Sequence, residues 1–121
     1  MAEEQFPCTD AGMAAAQAFL EEHCVEPKPA IIMDEIVSNI VRCSGASAFS
    51  IGFNRSDDGI VMDFIDNGHP FDPTREVDDP DVKASVEDRK IGGLGIFLVK
   101  KMAKSVTYRR DGERNVLTVK L

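Results

Sequence analysis

The feature that most constrains this chain is a cluster of three glycines that runs directly into an apolar segment. Gly92, Gly93 and Gly95 run into an apolar segment with helical spacing that starts at Ile96, and a helix is predicted at about 94–104. Glycine allows left-handed torsions and a close approach to a ligand, and the free N–H groups at a helix start favour phosphate. The cluster fits neither of the two commonest phosphate-binding motifs, so a plain strand-to-helix turn is the competing interpretation.

Length and charge limit the possible functions. With 121 residues, 43% of them hydrophobic, the chain can bury one core and one layer of helices on one sheet. A formal net charge of −7, with the acidic residues crowded into 57–88, argues against nonspecific binding of DNA or RNA. No apolar run reaches the roughly 18 residues of a membrane span and no leader is evident, so we expect no membrane partner.

Cysteine usage indicates a reducing compartment. Cys8, Cys24 and Cys43 are odd in number and lack CxxC spacing. We expect reduced thiols that pack in the fold, rather than disulfides or a zinc site, and hence a cytoplasmic protein.

The first half of the chain predicts two helices. Thr9 belongs to an N-cap region for a helix at 11–23, and Pro27 helps to separate it from a second helix at 30–43. Residues 1–8 are expected to be a frayed or weakly paired start. The apolar residues of the second helix recur every three or four positions and form its buried face: Ile32, Met33, Ile36, Val37, Ile40 and Val41.

The second half predicts two hairpins around a helix. Strands at 48–55 and 59–66 are joined by a Ser-Asp-Asp-Gly turn, and strands at 105–110 and 115–121 by an Asp-Gly turn. Residues 72–90 carry two prolines and many acids without a periodic apolar face, which is typical of a long functional or disordered loop. The order α-α-β-β-loop-α-β-β predicts helices stacked on one face of a mostly antiparallel sheet.

Glu35 and Asn39 form the first polar cluster. Four residues apart on a helix, they project on one side. An amide oxygen can complete a Mg²⁺ shell, and a nearby carboxylate can take a proton from an attacking hydroxyl. The spacing alone favours a simpler interpretation, in which both residues belong to the solvated face of an amphipathic helix together with Ser38 and Arg42.

Two further clusters follow along the chain. Asp66 ends an apolar strand and precedes Gly68, so it could accept a hydrogen bond from a purine amino group; the competing interpretation is an Asp-Asn-Gly turn. His69 is expected to be a loop residue rather than a ligand. The glycines at 92–95 follow Arg89 and Lys90, either of which could screen phosphate charge.

These clusters, taken in order, resemble the motifs of a known superfamily. Glu35-x-x-x-Asn39, Asp66-x-Gly68-x-Pro70-Phe71 and Gly92-Gly93-Leu94-Gly95 resemble the N box and two glycine boxes of the GHKL ATPases. Within that superfamily the chain is most similar to the anti-sigma-factor serine/threonine kinases, over about residues 10–121. The resemblance implies one histidine-kinase-like ATPase domain, residues 1–121. Its Bergerat fold would be an α+β two-layer α/β sandwich, with helices on one face of a mixed, mostly antiparallel sheet and 72–90 as the ATP lid.

The resemblance also implies roles for single residues. Glu35 would be the catalytic base and Asn39 would hold Mg²⁺. Asp66 would bind the adenine amino group, and Gly68 would line the adenine. The remaining nucleotide-binding candidates lie around the phosphates: Arg42, Lys90, Gly92, Gly93, Leu94 and Gly95.

The implied activity is an ATP- and Mg²⁺-dependent protein kinase. It would phosphorylate a serine or threonine of an anti-anti-sigma protein and thereby regulate a sigma factor. The family implies these two proteins as partners and often a homodimer.

Three departures from the family pattern motivate an alternative. Cys43 stands where histidine is common, Ala103 and Lys104 replace a common acidic residue, and the N-terminal strand is expected to be short or missing. The alternative is a catalytically inactive ATP-binding module that sequesters a partner. The catalytic half of a sensor histidine kinase is disfavoured because His23 is not followed by a phosphoacceptor pattern. A domain without any ligand would make the three clusters a coincidence.

Overall fold

A computed structural model describes residues 2–70 and 93–121 of the chain. The predicted lid, 72–90, which includes Lys90, lies outside the described residues, as does Gly92. The described elements are the strands β1 Ala2–Pro7, β2 Ala48–Ser56, β3 Gly59–Asp66, β4 Ser105–Asp111 and β5 Arg114–Lys120, and the helices α1 Asp10–His23, α2 Pro27–Cys43 and α3 Gly93–Met102.

The five described strands form one sheet in the order β1-β2-β3-β5-β4. Every pairing among them is antiparallel, so the expected α+β sandwich on a mostly antiparallel sheet is confirmed. The central pairing joins β3 to β5, which are distant in sequence, and it places Asp66 directly opposite Asn115. On its other side Asp66 lies opposite Phe49 of β2.

The prediction of a frayed start at residues 1–8 was wrong. Residues Ala2–Pro7 form β1 and pair with β2 along their whole length, with Phe6 opposite Phe49. Phe6 is buried and its ring lies 5.4 Å from that of Phe49, so one aromatic side chain anchors the strand. The strand is short and its other residues include charged ones, as is common in edge strands. It therefore lacks the alternating apolar residues by which a strand is predicted from sequence.

Both N-terminal helices agree with their sequence cues. Thr9 is the N-cap of α1, and its hydroxyl accepts a hydrogen bond of 3.0 Å from the Gly12 N–H. Helix α2 begins at Pro27, earlier than the predicted residue 30, because proline is well tolerated in the first helical turn, where its missing N–H would have no partner.

One hydrophobic core lies between the helices and a single face of the sheet. It contains residues from all three helices, such as Phe19, Ile36 and Val99, and alternate residues of β2, β3 and β5. Five of the six predicted apolar positions of α2 are buried, and Val41 is partly buried. In the part of the chain that the structure describes, no helix is long and apolar enough to cross a membrane.

Candidate functional site

Asp66 is a buried carboxylate at the end of β3. Only 6% of its surface is exposed. Its Oδ1 accepts two hydrogen bonds, one of 2.9 Å from the Gly68 N–H and one of 3.0 Å from Asn115 Nδ2. No described residue donates a hydrogen bond to the other oxygen, Oδ2. Because a buried acceptor without a donor is costly, this oxygen suits a ligand that brings an N–H group.

Gly68 lies tightly against the end of α2. A Cβ at this position would overlap the carbonyl oxygen of Ser44 and come within 2.7 Å of the Ser44 Cβ and 2.9 Å of Asp66 Oδ1. Only a residue without a side chain fits between the helix cap and the carboxylate. Glycine is therefore required at position 68 because the loop approaches the end of α2 so closely.

The loop after β3 is attached to the cap of α2 by hydrogen bonds. The His69 N–H donates to the Ser44 carbonyl at 3.0 Å, and His69 Nδ1 lies 2.7 Å from the same oxygen. Since a carbonyl oxygen only accepts, Nδ1 carries the proton. His69 is thus engaged as a loop residue, and the loop holds the C-terminal end of α2 beside the end of β3.

Helix α2 carries the first polar cluster. Glu35 is half-buried, Asn39 is buried with 8% of its surface exposed, and Arg42 in the last turn is exposed. The interpretation of a solvated helix face is therefore wrong for Asn39. The helix contacts α1, α3 and β3, so more than one of its faces is covered by protein.

The Asn39 amide has no hydrogen bond to any described residue. A buried amide without a partner is rare in folded proteins, because it loses water without compensation. Its neutral oxygen is a ligand type that Mg²⁺ accepts, and Glu35 lies one helical turn away, about 6 Å along the axis. The residues present therefore fit a magnesium ion held partly by a nucleotide. Within the described ranges, three or more His, Cys, Asp or Glu side chains never cluster as they would at an all-protein metal site.

The glycine cluster lies at the start of α3. The helix begins at Gly93, so Gly93, Leu94 and Gly95 belong to its first turn rather than to a loop. Their N–H groups have no acceptor four residues earlier within the helix, and the helix dipole is positive at this end. Helix α3 contacts α2, the helix that carries Asn39.

Residues 8–121 match the family described as histidine kinase-like ATPase domain. The chain belongs to the histidine kinase-like ATPase family. The match covers nearly the whole chain and includes all three polar clusters. No curated protein matched the chain.

In this histidine kinase-like ATPase domain, the described geometry brings the predicted site residues together in two pairs. Asp66 and Gly68 lie together at the end of β3, and Glu35 and Asn39 lie together on α2, whose cap is attached to the loop that follows Asp66. Lys90 and Gly92 lie outside the described residues, so their predicted roles stay predictions.

Asn115 is a functional candidate that the sequence did not predict: it is a buried polar residue that contacts Asp66 directly. Its role depends on the pairing of β3 with β5, which joins residues 49 positions apart. The only available cue was the polar start of an otherwise apolar strand.

The Cys8 thiol is affected by the charge of the Asp66 carboxylate. Burial, and secondly the negative charge of Asp66, raise the pKa of the Cys8 thiol above its ordinary value. Cys8 is therefore a neutral thiol at physiological pH, as expected for a packing cysteine.

Proposed function

We propose that this chain is an ATP- and Mg²⁺-dependent serine/threonine kinase of the anti-sigma type. It would phosphorylate an anti-anti-sigma protein and so regulate a sigma factor in the cytoplasm, as a homodimer. Membership of the histidine kinase-like ATPase family supports the use of ATP. The observation that carries the proposal is the buried Asn39 amide, which lacks a described protein partner and lies one turn from the half-buried Glu35.

The residues divide the work between binding and transfer. Asp66 Oδ2 accepts a hydrogen bond from the adenine amino group. The close packing of Gly68 leaves room for the base. The N–H groups at the start of α3 and the Arg42 guanidinium face the phosphates. Asn39 would hold Mg²⁺, which would supply positive charge that offsets the charge on the transferring phosphoryl group.

Glu35 acts on the incoming substrate. Its carboxylate accepts the proton of the serine or threonine hydroxyl, whose oxygen forms a bond to the γ-phosphorus while the bond to the β-phosphate oxygen breaks. ADP leaves, and the proton stays on Glu35 until solvent removes it. The phosphates would also be contacted by Lys90, Gly92 and the predicted lid, 72–90. These residues lie outside those that the structure describes.

The test separates binding from transfer. The substrate is each anti-anti-sigma protein encoded in the same genome, with ATP labelled in its γ-phosphate. Glu35→Ala should bind ATP like the wild type but lose transfer, whereas the control Asp34→Ala, on the same helix, should keep both. The one hydrogen bond that the Asp34 side chain makes with a described residue is a surface bond accepted from Gln17.

Two results would overturn the proposal. Wild-type transfer by Glu35→Ala would remove Glu35 from the mechanism. ATP binding by the wild type with transfer at background for every substrate would indicate the alternative, a nucleotide-dependent sequestering module without kinase activity.

A further inference from the structure

Asn115 is the centre of a hydrogen-bond network behind Asp66. Its Nδ2 donates to Asp66 Oδ1 at 3.0 Å and to the His69 carbonyl at 2.9 Å. Its Oδ1 accepts from the Tyr108 hydroxyl at 2.6 Å and from Arg110 at 3.1 Å. Asn115 is 4% exposed and its contact with Asp66 is buried, whereas its other three contacts are partly buried.

The chemistry of the partners permits only one orientation of this amide. Arginine can only donate hydrogen bonds and a main-chain carbonyl can only accept them. With Arg110 on one side and the His69 carbonyl on the other, the NH₂ group must point toward Asp66. A flipped amide would place two donors together on the arginine side and two acceptors together on the His69 side.

Arg110 strengthens this arrangement through a second contact. Its guanidinium also donates to the Gly68 carbonyl at 2.8 Å, so it joins β4 to the loop that follows Asp66. A single carboxylate oxygen, Asp66 Oδ1, therefore accepts hydrogen bonds from two segments: from the Gly68 N–H of the following loop and from the Asn115 amide of β5.

We infer that Asn115 is a positioning residue, which holds the Asp66 carboxylate so that Oδ2 is presented to the 6-amino group of a purine nucleotide. Tyr108 and Arg110 fix the orientation of Asn115 and thereby act on the same carboxylate from β4. This inference rests on the proposed function, because it assigns Oδ2 to the nucleotide. If Asn115 has this role, selectivity for the base depends on the hairpin of β4 and β5 as well as on β3.

The experiment compares two nucleotides that differ only in the amino group. ATP and purine riboside triphosphate are titrated against the wild type, Asn115→Leu, Tyr108→Phe and Arg110→Gln. Asn115→Leu should lose about tenfold in ATP affinity with little change for the analogue, because only ATP uses the oriented Oδ2. Tyr108→Phe and Arg110→Gln keep Asn115 and should each reduce the preference for ATP by about two- to fivefold, so they test the inference even if Asn115→Leu fails to fold.

Arg109→Gln is the matched control. It makes the same change at the neighbouring position, whose side chain is exposed and makes no hydrogen bond to a described residue. Its preference for ATP should equal that of the wild type. An equal loss of both nucleotides in Tyr108→Phe and Arg110→Gln, or no loss at all, would overturn the inference.

A measurement without nucleotide distinguishes this inference from the proposed function. In NMR spectra of the nucleotide-free protein, the Gly68 amide and the Asp66 carboxyl carbon should shift in Tyr108→Phe and Arg110→Gln but not in Arg109→Gln. If the wild type bound no ATP, the proposed function would fail while these resonances still decided whether the network positions Asp66. Unchanged resonances in both variants would contradict the positioning role.

Discussion

The two sides of the candidate site are built in opposite ways. On the sheet side, Asp66 is held by hydrogen bonds from Gly68 and Asn115 before any ligand arrives. On the helix side, the Asn39 amide is buried without a hydrogen bond to a described residue. Under the proposed function, the protein would fix the base-binding side itself and would leave the metal-binding side to be completed by what binds there.

The largest expected effect comes from Asp66→Asn, which changes the sheet side. The new side chain can keep both hydrogen bonds through its carbonyl oxygen, so the fold should be retained. Its NH₂ group then replaces Oδ2 and meets the adenine amino group donor to donor. ATP affinity, measured by calorimetric titration, should fall about 100-fold or more.

Asp63→Asn is the control for this prediction. Asp63 lies on the same strand but accepts a hydrogen bond of 2.6 Å from Thr118 instead of contacting the Asp66 carboxylate. Its ATP affinity should match the wild type. Equal affinities for Asp66→Asn and Asp63→Asn would remove Asp66 from the site.

Gly68→Ala should act on stability as well as on binding. The added methyl group would overlap the Ser44 carbonyl oxygen and lie 2.7 Å from the Ser44 Cβ, so the loop must move away from α2. The free energy of unfolding should fall by about 2 kcal/mol in urea denaturation, and ATP affinity should fall with it. In the control Gly52→Ala the nearest atom is 3.6 Å away, an ordinary contact. Equal unfolding curves for the two variants would show that the close approach has no energetic weight.

Asn39→Ala should affect the metal more than the fold. Because the amide makes no hydrogen bond to a described residue, its loss should change the free energy of unfolding by no more than about 1 kcal/mol. The gain in ATP affinity on adding Mg²⁺ should shrink by about tenfold, while metal-free ATP binding stays. Ser38→Ala, on the same helix, is the control. If Asn39→Ala lost much of its stability but kept the Mg²⁺ effect, Asn39 would be a structural residue and not a metal ligand.

The smallest effect is expected at the far end of α2, outside the site. Arg55 donates two hydrogen bonds to Glu26, at 3.0 and 2.9 Å. These bonds, and secondly one from the Cys24 thiol, lower the pKa of Glu26 from 4.5 to about 2. Because the folded-state pKa is depressed, the pair stabilises the protein above pH 4.5, and this stabilisation disappears as the pH falls toward 2. The pair is exposed, so the effect should be small.

Arg55→Gln measures this pair and separates it from the site. The difference in urea midpoint between wild type and variant should be present at about pH 6 and vanish near pH 2. ATP affinity at neutral pH should be the same for both. A difference that persists at pH 2 would show that the ion pair is not its cause.

The sequence predicted the local structure well where one segment carries its own cues. Strand β3 was predicted at its observed bounds, 59–66, because a turn sequence and an apolar run delimit it. The start of α1 was predicted because Thr9 caps it directly. Strand β1 was missed because its anchoring depends on Phe6 meeting Phe49, a contact that no local pattern shows.

The site was predictable from single segments but not from their contacts. The resemblance to a family selected Asp66 and Asn39, whereas helical spacing alone favoured a solvated position for Asn39. Burial of Asn39 depends on the packing around α2, and the role of Asn115 depends on strand pairing across the sheet. Both are long-range effects that a local pattern does not carry.

The central claim is that a base-binding side fixed by the protein and a side completed by a metal form one ATP site. Calorimetric titration of the wild type with ATP, with and without Mg²⁺, tests it most directly. The account predicts saturable binding without the metal and stronger binding with it. No heat of binding at millimolar nucleotide in either condition would contradict it, and the glycines at the start of α3 would then be no more than the beginning of a helix.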